Sequence, residues 1–112
     1  MKVIRSEESL LEFDNGLQVL GNGEEDCCAN NYLDFEQFPV GLEFDDMTIG
    51  KFLDSMTVKE DGFSIKDSYG IPKWAQARSE QNGYYSNITT LILKQNENTV
   101  EVKNLEGKMS DG

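Results

Sequence analysis

Short apolar runs broken by Gly, Asn and Asp recur along the chain roughly every 10–15 residues, a spacing that predicts strands joined by turns. The strongest run, Ile88-Thr89-Thr90-Leu91-Ile92-Leu93, follows Ser79-Glu80-Gln81-Asn82-Gly83-Tyr84-Tyr85-Ser86-Asn87. It is rich in β-branched residues and apolar on both faces at Leu91, Ile92 and Leu93, which predicts a mid-sheet strand buried on both sides. Asn82-Gly83 suits a type I′ turn, because both central residues need positive φ and Gly takes it freely. The pattern therefore predicts a hairpin pairing Lys73–Ser79 with the chain from Tyr84 onward, and that hairpin as the organising element.

Leu10-Leu11-Glu12-Phe13 and Leu17-Gln18-Val19-Leu20 flank Asp14-Asn15-Gly16 and read as a second hairpin. Asp14-Asn15-Gly16 lacks the spaced acids and closing Glu of a calcium loop. Residues 3–9 read as an irregular lead-in or a short strand. Residues 26–38 read as a strand or short helix ending before Pro39, and Leu42 to Gly50 as one helical turn closed by Gly50. Lys51–Val58 and Phe63–Lys66 read as strands across Lys59-Glu60-Asp61-Gly62. Ser68-Tyr69-Gly70-Ile71-Pro72 is a loop, and Asn96-Glu97-Asn98 turns the chain into Thr99-Val100-Glu101-Val102-Lys103. The expected class is α+β, a small domain dominated by an antiparallel β-sheet with one or two short helices. It spans residues 1–106, with 107–112 as a flexible tail.

At 112 residues the chain can bury about 65% of its unfolded surface, enough for one core. No apolar run approaches the roughly 20 residues of a membrane span, and the N-terminus lacks the apolar stretch of a signal peptide. A cytoplasmic protein is expected, in the host cytoplasm if phage-encoded. The net charge of −11 is unevenly placed: residues 1–61 hold 15 acids and 4 bases, whereas residues 62–112 hold six of each. Such a field disfavours nucleic acid and suits either solubility or a basic protein surface. Its candidate partner-binding acids are Glu24, Glu25, Asp26, Asp34, Glu36, Glu43, Asp45 and Asp46.

The chain has no histidine, which removes the commonest general base and the usual Ser-His and Cys-His pairs. No phosphate-cradling Gly-rich loop is present. Adjacent Cys27 and Cys28 lack zinc-site spacing; they read as reduced thiols where the chain enters the core, with the preceding acids opposing the thiolate. A divalent ion held by Glu24, Asp26, Asp34 and Glu36, as in a metal-dependent hydrolase, is a minor reading. Tyr69, Trp74, Arg78, Gln81, Asn82, Tyr84, Tyr85 and Asn87 gather aromatics, amides and a guanidinium in the neutral half. They would suit either cross-strand packing or a nucleotide-like ligand, with stacking on the rings and Arg78 on a phosphate. Asn87-Ile88-Thr89 matches a glycosylation sequon that a cytoplasmic chain does not use.

Asp26-Cys27-Cys28 followed by Tyr32-Leu33-Asp34-Phe35-Glu36, together with Gln81-Asn82-Gly83-Tyr84-Tyr85-Ser86, resembles a family of small proteins from phages, prophages and Gram-positive bacteria. Its signatures are approximately His-x-Gln-Asp-Cys-Cys-Glu and Ser-Asn-Gly-Tyr-Tyr-Ser. This chain has Gly23 and Glu25 in place of the His and Gln, and Ala29 after the cysteines. The resemblance covers roughly residues 10–94 and implies origin and domain shape rather than chemistry. The expected function is a non-enzymatic acidic binding protein, a phage-encoded inhibitor of a host defence or nucleic-acid-handling protein. A ligand-sequestering protein is the alternative. No cofactor is expected, and exposed strand edges would permit a homodimer.

Overall fold

In the computed structural model, which describes residues 1–24 and 28–110, polar turn residues divide the chain into short strands. These are β1 (Val3–Glu7), β2 (Leu10–Phe13), β3 (Leu17–Gly23) and β4 (Asn30–Asp34), then helix α1 (Ile49–Ser55). There follow β5 (Thr57–Val58), β6 (Gly62–Lys66), β7 (Pro72–Glu80), β8 (Ile88–Gln95), β9 (Asn98–Glu106) and β10 (Lys108–Ser110). Strand makes up 56% of the described residues, so the protein is mostly β with antiparallel sheets and one helix among those residues. No described helix is long and apolar enough to cross a membrane.

One sheet has the order β1-β2-β3-β8-β9, antiparallel throughout. Its turns use left-handed residues at Ser9 (φ 61°), Gly16 (φ 88°) and Asn96 (φ 57°). Both the Asp14-Asn15-Gly16 hairpin and the Asn96 turn stand where the pattern predicts them. The other sheet is built on β7. β4 runs antiparallel to it and β10 parallel, and both pair with Arg78–Glu80, so they lie on opposite edges. β6 pairs with Pro72–Gln76 of β7, and β5 with β6.

The Asn82-Gly83 hairpin does not form. β7 and β8 belong to different sheets, and residues 81–87 carry the chain between them. The reason lies one residue earlier. Gln81 is buried, its Oε1 accepts from Tyr85 N at 2.8 Å, and its Nε2 donates to Ser86 O at 2.9 Å and Ser79 Oγ at 2.6 Å. A side-chain amide thus replaces the ladder that a hairpin would have built. Nor is β8 buried on both faces: Thr89, Leu91 and Leu93 face the core, whereas Ile92 is half-buried on the other side.

Lys51–Ser55, expected as strand, is helical instead, and Gly50 lies inside that helix rather than closing an earlier one. Ile49, Phe52, Leu53 and Met56 recur at helical spacing, which outweighs the β propensity of the individual residues. Thr48 caps the start, its Oγ1 accepting from Lys51 N at 3.4 Å. Part of the expected tail, Lys108–Ser110, is β10.

Inward residues of both sheets meet in one core with α1 packed against it. All six phenylalanines form a connected network: Phe13 meets Phe44 edge-on at 5.5 Å and Phe52 at 6.0 Å, Phe44 stacks on Phe38, and Phe38 meets Phe35 and Phe63. Such pairs add to the burial of the rings themselves.

Candidate functional site

The seam where the β1–β2 turn meets β4 gathers charge. Ser9 N donates to Leu33 O at 2.9 Å, and Leu33 N donates to Ser9 Oγ at 3.0 Å. Nearby, Ser6 Oγ donates to Phe35 O. These bonds bring Glu7 and Glu8 against Asp34 and Glu36 around a shallow depression of about 190 Å³ that is also lined by Ser6 and Phe35. Two of the four carboxylates are compensated. Arg5 Nε donates to Glu7 Oε2 at 3.0 Å, and Arg78 Nε donates to Asp34 Oδ2 at 2.6 Å. Glu8 and Glu36 have no ion pair among the described residues.

The solvent-facing side of β4 and β7 continues this polar surface. The bond to Asp34 holds the Arg78 guanidinium protonated more firmly than usual, against a smaller cost of burial. Beside it, the Tyr32 hydroxyl donates to Glu80 Oε1 at 3.1 Å. Burial first, then this hydrogen bond and the charge of Glu80 and Glu8, push the Tyr32 phenol above its ordinary range. Trp74 Nε1 donates to Gln76 Oε1, and Gln76 Nε2 donates to Asp61.

A second acidic group lies at the other end of β1. Asp14, Glu43 and Lys2 line a depression of about 260 Å³, with Lys2 Nζ 3.9 Å from Glu43. Asp46 accepts from Asn15 Nδ2 at 3.1 Å. The rise of a strand puts Lys2 and Glu7 about 17 Å apart, so the two groups flank β1 rather than merge. Of the other predicted acids, Asp45 lines a different cleft. Glu24 follows β3 and donates its N–H to Ile88 O. Glu25 and Asp26 lie outside the described residues, as does Cys27. Asp34 and Glu36 are thus brought together with Glu7 and Glu8, which the charge count did not single out. The polar Glu7-Glu8-Ser9 break between two apolar runs was the available signal.

Of the four residues considered for a divalent ion, Asp26 lies outside the described residues, and Glu24, Asp34 and Glu36 are not assembled into a site. Glu24 follows β3 and Asp34 is bound to Arg78, and among the described residues no group of three or more His, Cys, Asp or Glu could hold a metal. Cys28 is exposed rather than sunk where the chain enters the core.

The eight aromatic and amide candidates are likewise divided. Trp74 and Arg78 share the outer face of β7. Tyr69 and Tyr84 are exposed on separate loops, at 78% and 85%. Gln81 and the Tyr85 backbone are committed to the loop described above, Asn82 is exposed on it, and Asn87 Nδ2 donates to Gly107 O at 3.2 Å. No protein-family model, curated protein or solved structure matches the chain.

Proposed function

We propose that the protein is a non-enzymatic binding protein that docks a basic surface through the carboxylates flanking β1, as an inhibitor of a host defence or nucleic-acid-handling protein. The observation that carries this reading is the gathering of Glu7, Glu8, Asp34 and Glu36 at one seam, where among the described residues only Arg5 and Arg78 pair with them. The group at Asp14 and Glu43 extends the negative field along the same strand. A cationic groove meeting both groups gains attraction over two separated points, which speeds encounter and fixes orientation. The resemblance to small phage and prophage proteins supports a host target.

The test compares the full chain with a Glu7→Gln, Glu8→Gln, Glu36→Gln variant in pull-downs from host lysate at low and high salt. The proposal expects a captured basic protein whose binding falls with salt and with the triple substitution. Capture that is indifferent to both would overturn it.

A further inference from the structure

Away from the acidic seam, a cleft of about 630 Å³ opens between α1, β6 and the loop after β6, within the size range of small-molecule sites. Its origin is a short strand. β5 has two residues and pairs with Phe63 and Ser64, so among the described residues Ile65 and Lys66 run on with no strand beside them on that edge. Met47, Ile65 and Pro72 make up an apolar part of the lining, and Met47 and Ile65 are largely buried.

The walls carry complementary polar groups. Lys51 on α1 and Lys66 on β6 both line the cleft, and neither joins an ion pair among the described residues although the chain has 21 acids. Asp67 is 6% exposed, and its Oδ1 accepts from Tyr69 N at 2.9 Å and Ile71 N at 3.0 Å. Asp67 N also donates to Ile71 O, and Gly70 N to Asp67 O. That loop holds the Asp67 carboxylate in place on the lining of the cleft. Ser64, two residues before Lys66 on β6, adds a hydroxyl to the lining.

We propose that this cleft binds a sugar phosphate, either free or as the ribose phosphate of a mononucleotide. The phosphate meets the Lys51 and Lys66 ammonium groups, and the sugar hydroxyls donate to Asp67 and bond with Ser64. The C–H face of the sugar ring lies on Met47, Ile65 and Pro72. Two cations and the two carboxylates of Asp45 and Asp67 on one lining explain why a ligand should carry both an anion and hydroxyl donors. This surface is distinct from the eight aromatic and amide residues, none of which lines it.

Titration calorimetry on the full chain, with ribose 5-phosphate, AMP, ribose and inorganic phosphate as probes, tests the proposal. Saturable binding is expected for the two phosphorylated sugars, and at least about tenfold weaker binding for ribose and for phosphate alone. Lys51→Met with Lys66→Met should weaken ribose 5-phosphate or AMP by about tenfold or more at unchanged melting temperature. Ser64→Ala, which leaves both charges in place, should weaken them less. The Glu7, Glu8 and Glu36 substitutions should leave this binding intact, which separates it from the acidic seam. AMP binding without ribose 5-phosphate binding would mean the base is the determinant and would overturn the sugar phosphate assignment. Silence with both phosphorylated probes, inorganic phosphate binding as well as either, or indifference to the lysine substitutions would overturn it too.

Discussion

Ser9 and Leu33 exchange two hydrogen bonds between a turn of one sheet and a strand of the other: Ser9 N to Leu33 O, and Leu33 N to Ser9 Oγ. Leu33 is fully buried, so its N–H has no recourse to water if the hydroxyl is removed. Ser9→Ala should cost about 1–3 kcal/mol, the penalty of an unsatisfied buried donor, read by denaturant unfolding. Ser9→Gly should cost less, because it relieves the left-handed φ of 61° while losing the same bond. A neutral Ser9→Ala would show that the seam is held by other contacts.

The loop between β7 and β8 depends on a side chain that looks ordinary in the sequence. Gln81→Ala removes three hydrogen bonds inside a nearly closed site and should cost about 1–3 kcal/mol. Asn82→Ala, at an exposed position, should fall within about 0.5 kcal/mol of the parent. Equal costs at the two positions would restore the hairpin reading.

Two glycines should respond in opposite directions to the same methyl group. A Cβ at Gly62 would sit 2.2 Å from the Ala75 carbonyl oxygen and 2.5 Å from the Trp74 ring. Backbone cannot yield there, so Gly62→Ala should lose more than about 2 kcal/mol. Gly50, inside α1, has nothing within 4 Å of the added carbon, so Gly50→Ala should gain about 0.5–1 kcal/mol in thermal or denaturant unfolding. Destabilisation by the second substitution would argue against the helix.

Alkaline pH probes the outer face of β4 and β7. The folded protein raises the Tyr32 phenol above its ordinary value of 10.0. The associated stability is therefore present below about pH 10 and is lost as pH rises through the folded value. Above that range a phenolate would face Glu80. Melting temperature should fall more steeply above pH 10 for the parent than for Tyr32→Phe, and parallel curves would remove Tyr32 from the account.

The two hairpins at Gly16 and Asn96 were readable because turn residues and flanking runs lie within a few positions of each other. The helix was misread as a strand at Lys51–Val58: Ile49, Phe52, Leu53 and Met56 stand at helical spacing after Thr48, but seven residues carry little periodic signal against their aromatic and aliphatic composition. The acidic seam was legible only as a surplus of charge in the first half. Which carboxylates meet depends on a turn at Ser9 touching a strand some 24 positions later.

By itself, then, the sequence determined the mostly β character, the local reversals and a strongly acidic first half, because propensity, turn chemistry and charge are properties of neighbouring residues. The tertiary structure alone decided that β7 pairs with β4, β6 and β10 rather than with β8, that Glu7 and Glu8 face Asp34 and Glu36, and that a cleft opens beyond β5. Strand partnership rests on how buried polar groups such as Gln81, Ser79 and Asn31 find partners. That choice is made between segments far apart in the chain, where no local pattern records it.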